Sequence, residues 1–238
     1  MRVLVTRPQP GAERTAGRLR ELGWTPLELP LTRVVPLSPA ALPSLSPVNA
    51  VAVASANAVR HAPPALLGKI AHLPVYAVGR RTGAAAHEAG LSVADDTAGD
   101  AERLAARIAE ALVPGARVLL LCGRVRRDGL ENGLREAGLA VTPVETYDTL
   151  PTAPNDAHIE ALLEARPVDA VLLHSAFAAE ELAHILSRRA IAPLFERATF
   201  IAISHRVAAA LPPGWREHAH VAGEPTDEAM LSLLEAGI

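Results

Sequence analysis

The chain repeats itself. From Arg117 to Tyr147 it reads RVLLLCGRVRRDGLENGLREAGLAVTPVETY, and from Arg2 to Pro30 it reads RVLVTRPQPGAERTAGRLRELGWTPLELP. Leu19-Arg20-Glu21 matches Leu134-Arg135-Glu136, Gly23 matches Gly138, and TPLELP at 25–30 matches TPVETY at 142–147. Two further blocks recur in the same order. NAVAVASANAV (49–59) is similar to DAVLLHSAFAA (169–179), and PVYAVGRRTGAAA (74–86) to TFIAISHRVAAAL (199–211). Such a repeat means that one structural plan is built twice.

Each block has the same grammar: a short apolar run, a turn of small or polar residues, then a helix. The runs predict strands at Arg2–Thr6, Trp24–Leu29, Ala50–Ala54, Val75–Val78, Val118–Cys122, Ala170–Leu173 and Phe200–Ile203, with weak ones at Ser92–Val93 and His220–Ala222. Leu19 and Leu22 mark the apolar side of the first helix, and Gly23 its stop. Asp100 caps a helix over Ala101–Leu112, and Thr226 or Asp227 caps a final one over Glu228–Glu235. Other helices are expected at Ile159–Ala165, Ala178–Ser187 and Val207–Leu211. Runs that are apolar on both faces and alternate with helices belong to parallel sheets covered on both sides. The expected fold class is α/β: two flavodoxin-like parallel-sheet domains from an internal duplication, joined by a two-stranded extended link.

The blocks can be grouped as two consecutive domains or as an interleaved pair. Prolines at 36, 39, 43 and 47 exclude a continuous helix or central strand between Leu31 and Val48. Tyr147–Pro154, after the second copy of the first block, is also extended and ends in Pro151 and Pro154. Val113-Pro114-Gly115-Ala116, by contrast, is only a tight turn, and short connections join neighbours within one domain. The interleaved grouping is therefore preferred: residues 1–35 with 150–238 as one discontinuous domain, and residues 36–149 as the inserted one.

Composition narrows the function. The net charge of −3 lacks the basic excess of a nucleic-acid-binding domain, so an anionic ligand must be drawn by local groups. Aromatic residues are only 3%, which leaves Ala, Val, Leu and Ile to build the core. The single cysteine, Cys122, excludes an intrachain disulfide and reads as a small buried apolar residue. No apolar run approaches ~18 residues, so no membrane span is expected. Thr6 and Arg7 arrive too early for a secretory leader, and a cytoplasmic location is expected. No GxGxxG follows a strand, no P-loop is present, and Ser175 lacks a GxSxG context, which removes support for dinucleotide, nucleotide and hydrolase sites. The nine histidines show no HExxH spacing, and no metal is expected; His184 reads as a surface residue of a helix.

In parallel α/β sheets, ligands collect beyond the carboxyl ends of the strands. Six such ends can be read: Thr6-Arg7, Ser55-Ala56-Asn57, Gly79–Thr82, Gly123–Arg127, His174-Ser175 and Ser204-His205-Arg206. Each opens a helix, whose first N–H groups and positive dipole end favour carboxylate or phosphate, worth ~0.3–1 kcal/mol per exposed site. Taken singly these residues are ordinary N-caps; gathered on one cleft, they hold a polyanion. Arg7, Arg80, Arg81, Arg124, Arg126, Arg127 and Arg206 stand at these turns and can pair with ligand carboxylates, with Arg81 and Arg126 the readiest to be plain solvated charges.

The assembled set resembles the uroporphyrinogen-III synthase family. The residues that carry the resemblance are VLVTRPQP (3–10), SANAV (55–59), VGRRT (78–82), CGRVRRDGL (122–130), VETYDT (144–149), Ser175 and GEPTDEAML (223–231). The chain departs from the family's usual pattern at Ser204-His205-Arg206-Val207, where a Gly-x-Thr turn is common, and at Val53-Ala54-Ser55, where Phe-Thr-Ser is common. The resemblance implies two α/β domains joined by a two-stranded link and an enzyme without a cofactor. It implies as substrate hydroxymethylbilane, a linear tetrapyrrole polycarboxylate, closed to uroporphyrinogen III with inversion of ring D and loss of water. No exposed apolar helix face demands a partner, so a monomer is expected, in transient contact with the preceding pathway enzyme; the charge balance and the lack of long apolar runs leave no nucleic-acid or membrane partner expected. Tyr147 stands where the family's link carries a functional tyrosine, which makes it the candidate for proton transfer or, alternatively, a residue that packs against the link. Thr82 and Ser175 match polar positions lining the family's cleft. A two-domain protein that binds a small polyanion without catalysis is the competing reading.

Overall fold

The structure, a computed structural model, describes residues 1–37 and 47–237; the part of the proline-rich stretch that holds Pro39 and Pro43 lies outside the described residues. In chain order the elements are β1 (Arg2–Val5), α1 (Gly11–Glu21), β2 (Thr25–Glu28), β3 (Thr32–Pro36), β4 (Ala50–Val53), α2 (Ala56–Arg60), α3 (Pro64–Ile70), β5 (Pro74–Ala77), α4 (Arg80–Glu88), β6 (Ser92–Asp95), α5 (Ala101–Ala111) and β7 (Arg117–Gly123). They continue as α6 (Gly129–Glu136), β8 (Ala140–Pro151), α7 (Asp156–Leu163), β9 (Ala170–Leu173), α8 (Ala176–Leu186), a 3-10 turn (Ala192–Phe195), β10 (Thr199–Ala202), α9 (His205–Ala209), α10 (Pro213–Arg216), β11 (Ala219–Val221) and α11 (Asp227–Glu235). The chain divides into two compact units, Met1–Arg33 with Leu150–Ile238, and Val34–Thr149.

The first unit holds a five-stranded sheet in the order β11-β10-β9-β1-β2, parallel throughout. Successive strand residues alternate between its two faces. Leu4, Val171, Leu173 and Phe200 pack on one side with Ile159 and Leu163 of α7, Leu182 and Ile185 of α8 and Val207 of α9. Val3, Val5, Leu172 and Ile201 pack on the other with Leu19 of α1 and Met230, Leu231 and Leu234 of α11. Because both faces are covered, β1 and β9 are buried at every position, which is why their sequences RVLV and AVLL carry no polar alternation.

The second unit holds the sheet β3-β8-β7-β4-β5-β6. The pairs from β8 through β6 are parallel. Val51, Val53, Leu119 and Leu121 pack with Val59, Leu66 and Ile70 on one face, and Ala52, Val118, Leu120 and Cys122 with Leu104, Ile108, Leu130 and Leu134 on the other. β3 lies on the outer edge beside β8. Leu37 donates its N–H to the Thr146 carbonyl and Thr152 donates to the Leu31 carbonyl, so these two strands run antiparallel. With β3 set aside, the two sheets correspond strand for strand: β2, β1, β9, β10 and β11 take the places of β8, β7, β4, β5 and β6.

The repeat extends to the helix ends. Gly23 and Gly138 both adopt left-handed backbone, with φ of +76° and +78°. In each copy the glycine N–H bonds the carbonyl of Arg20 or Arg135, and the next residue's N–H reaches back to Leu19 or Leu134. This double bond pattern closes a helix and is most easily reached by a residue without a Cβ.

Several expectations need correction. Leu22 is not on the buried side of α1; it is the C-cap and 36% exposed, while Leu19 is fully buried. The expected strand and extended segment around Tyr147 form one unbroken strand, β8. The short helices α3 and α10 and the 3-10 turn were not expected, although each carries a proline at its first or second position, a helix-start signal. Arg126 is not a plain solvated charge, as the site geometry shows.

Candidate active site

In each unit, neighbouring strands send their connecting helices to opposite faces at one point in the sheet. In the first unit α1 covers one face and α8 the other, so the switch lies between β1 and β9. In the second it lies between β7 and β4, whose helices α6 and α2 cover opposite faces. A crevice opens outside the carboxyl ends of the strands at such a point. The residues there are Thr6-Arg7 and His174-Ser175 in the first unit, and Gly123-Arg124 and Ala54-Ser55 in the second.

The first unit's switch point is closed by charge. The Arg7 guanidinium, 13% exposed, donates Nη1 to both carboxylate oxygens of Asp227 at 2.8 and 2.7 Å and to Thr15 Oγ1 at 3.2 Å. His174 Nε2 meets the same carboxylate at 3.1 Å. The bond from His174, with Arg7 beside it, holds the Asp227 carboxyl well below the usual carboxylate range, against the opposing effect of burial. Thr226, not Asp227, caps α11 by accepting the Ala229 N–H, which leaves the Asp227 side chain available to reach Arg7. Sequence reading missed this cluster; Asp227 looked like a helix cap, and its partner lies 220 residues away. Thr6 is fully buried, and its hydroxyl donates to the Leu172 carbonyl at 2.7 Å. Ser175 caps α8 by accepting the Ala178 N–H at 3.1 Å. Ser204 begins α9 without a side-chain cap bond, and His205 and Arg206 are exposed.

The second unit's edge is more open. Ser55 caps α2 by accepting the Asn57 N–H at 3.2 Å, and both side chains are half-buried. Gly79 begins α4 with no side-chain cap and faces open space, Arg80 is exposed, and Thr82 is buried in the first turn. Arg124 remains 57% exposed while bonding Glu145 at 3.4 Å and Asp148 at 3.2 Å. Arg126 is half-buried, bonded to Glu145 at 2.9 Å and Glu131 at 3.4 Å. Its two acidic partners make it an anchor of the 123–128 turn. Arg127 is exposed. Cys122, buried beneath this turn, has its thiol pushed up to about 11, chiefly by burial.

Tyr147 belongs to this edge. Its half-buried ring packs against the core face that holds Val51, Val53 and Val144. The His61 ring, at the end of α2, lies 6.3 Å away and tilted by 40°. Among the described residues the Tyr147 hydroxyl has no hydrogen-bond partner. A half-buried phenol of this kind can offer its proton to a bound group without first breaking an internal bond. Also among the described residues, no helix is long and apolar enough to cross a membrane.

Comparison with known proteins fits this geometry. The family model described as uroporphyrinogen-III synthase HemD matches residues 13–232, from α1 to α11. The chain is similar to the uroporphyrinogen-III synthetase of Helicobacter pylori, with 19% identity across all of both chains and a TM-score of 0.67. It is also similar to a mutant uroporphyrinogen III synthase of the extremely thermophilic bacterium Thermus thermophilus, with 23% identity over 99% of this chain and 98% of that one and a TM-score of 0.60. At these identities the structural likeness establishes a shared fold. The curated proteins gave no match. The family match covers nearly the whole length, and the chain belongs to the uroporphyrinogen-III synthase family.

Proposed function

We propose that this protein closes hydroxymethylbilane to uroporphyrinogen III, inverting ring D and releasing water. The observation that carries the reading is the family match over residues 13–232. The substrate's own chemistry explains why the edges described above suffice. Protonation of the terminal hydroxyl lets it leave as water, and the pyrrole nitrogen's electrons generate an azafulvene. That electrophile is attacked by the substituted carbon of ring D to form a spiro intermediate, which fragments and recloses with loss of a proton. The protein's part is to hold a flexible polycarboxylate in one folded arrangement and to supply and accept protons.

Tyr147 is the residue to which we assign the proton given to the departing hydroxyl. Its phenol, on the carboxyl edge of the second sheet and without a hydrogen-bond partner among the described residues, supports that role. For carboxylate binding, the candidates are Ser55, Asn57, Gly79, Arg80, Thr82, Gly123, Arg124 and Arg127 in the second unit, and Ser175, Ser204, His205 and Arg206 in the first. The uncapped start of α4 and the exposed Arg80 and Arg127 favour the second unit's edge for the strongest contacts. Thr6 and Arg7 shape the first edge through Leu172 and Asp227. We further propose that residues 1–35 with 150–238 and residues 36–149 act as the two domains, and that the protein is a cytoplasmic monomer. Because the free linear tetrapyrrole closes unaided to the isomer I ring, a transient contact with the enzyme that supplies it belongs to the same proposal.

The test is direct. Hydroxymethylbilane is incubated with the protein, the product is oxidised, and the uroporphyrin isomers are separated. Isomer III in excess is expected; isomer I alone would reject the enzyme and leave a polyanion-binding protein.

A further inference from the structure

We propose that Gly123 and a β-bulge at Thr146 are positioning elements that aim the Tyr147 phenol, an inference that rests on the role assigned to Tyr147 above. β7 and β8 pair in register from Arg117 with Ala140 to Cys122 with Glu145; the next pair is Gly123 with Tyr147. Thr146 is therefore an extra residue on β8. Strand side chains alternate between faces, so an unbroken pleat would put Tyr147 on the face of Glu145. The inserted residue turns it instead onto the face of Val144, where its ring packs among the apolar residues beside His61. Bulges re-aim side chains in this way.

The bulge is fixed from two sides. Thr146 is fully buried, and its hydroxyl donates to the Ala58 carbonyl of α2 at 2.7 Å. The Arg124 N–H donates to the Tyr147 carbonyl at 2.9 Å. The phenol then lies across Gly123. A Cβ at position 123 would sit 2.6 Å from Tyr147 Cζ, 2.9 Å from Cε2 and 3.0 Å from the hydroxyl oxygen. The backbone at 123 is not left-handed, so conformational freedom does not account for the glycine. What it provides is room for the hydroxyl-bearing end of one ring.

This geometry separates stability from turnover. The atoms nearest a methyl at 123 all belong to the far end of a half-buried side chain, which can swing away while the sheet stays intact. Gly123→Ala keeps the backbone N–H through which position 123 would bind a carboxylate, so it is expected to keep its melting temperature close to that of the parent and to lower kcat roughly 10- to 100-fold, with KM changed less than about threefold. In a Tyr147→Phe background, where no hydroxyl remains to be misplaced, the same change should alter kcat by less than about twofold. Equal losses in both backgrounds, or full turnover in Gly123→Ala, would overturn the proposal. Tyr147→Phe with unchanged kcat would overturn it too, by removing the underlying role of Tyr147, and the two failures are thereby distinguished. Should Gly123→Ala not fold, Thr146→Ser and Thr146→Val decide. Turnover is expected to survive where the hydroxyl to Ala58 is kept and to fall where it is lost; equal turnover in the pair would count against the bulge.

Discussion

At the switch point of the first unit the local arginine, Arg7, is largely buried and paired with Asp227, which His174 also meets; at that of the second, Arg124 stands more than half exposed and Tyr147 lies over Gly123. Apart from β3, which only the second sheet has, the sheets beneath correspond strand for strand, and the helices that follow β1 and β7 end in the same glycine motif. The chemical difference lies at the carboxyl edge. In the sequence match Pro30 stands where the second copy has Tyr147. Duplication thus supplied two equivalent edges, and the copies diverged there: one acquired an ion cluster that ties β1, β9 and α11 together, the other a more exposed rim of ion pairs and a phenol without a hydrogen-bond partner among the described residues. The apolar layers, which any functional divergence had to leave packed, stayed alike.

The sharpest way to break this comparison is at Tyr147. Tyr147→Phe is expected to lower turnover by about 10²-fold or more, the usual scale for losing a positioned acid, while the melting temperature stays near the parent value. A parallel drop in both would make Tyr147 a packing residue and leave the second edge with no chemical distinction from the first.

The shared layers are tested by a matched pair. Leu19 and Leu134 are the same residue of the repeat, and both are fully buried. Leu19→Ala and Leu134→Ala should each cost about 2–5 kcal/mol of unfolding free energy, with similar values in denaturant titrations. A difference between them much larger than that range's own width would mean that the two cores are not equivalent.

The ion cluster should contribute less, because Asp227 is 38% exposed. Asp227→Ala leaves a largely buried guanidinium without its carboxylate and is expected to cost about 1–3 kcal/mol at neutral pH. The pH dependence has a fixed sign. The Asp227 carboxyl titrates below its ordinary value of 3.8, so the unfolded chain takes up a proton before the folded one does. The stabilisation is complete above about pH 4 and is lost as the pH falls from there through the lower folded value. Asp227→Ala should flatten that part of the acid unfolding curve; an unchanged curve would remove the cluster from the acid response.

What the sequence made legible, and what it did not, follows from the range of the interactions. β4, β9 and β1 after Arg2 are fully buried apolar runs, and their identity is local information. The same holds for Asp100, which caps α5 through the Arg103 N–H, and for Gly23 and Gly138 at helix ends. The polar turns are likewise local, which is why the helix starts at Ser55, Gly79, Ser175 and Ser204 could be marked in advance. Long-range pairing was not legible. Nothing near Asp227 announces Arg7, and nothing near Arg126 announces that Glu145, on the next strand, will pair with it. The bulge at Thr146 was hidden for a different reason: alternation along β8 shows which residues are apolar, not where the partner strand slips by one. The one signal available was the match of TPLELP to TPVETY, which ends in a proline in one copy and a tyrosine in the other.

The smallest expected effect tests the helix end that the two copies share. Leu22 occupies the C-cap of α1, and Ala137 occupies the C-cap of α6. The second copy closes its helix with an alanine and keeps the same two bonds at Gly138. Leu22, 36% exposed, adds little buried surface to that arrangement. Leu22→Ala therefore reproduces in the first unit what the second already has, and its effect on stability should lie within about 0.5 kcal/mol. A loss above about 1 kcal/mol in a denaturant titration would mean that Leu22 covers apolar surface in solution, and the two helix ends would then differ where the structure makes them the same.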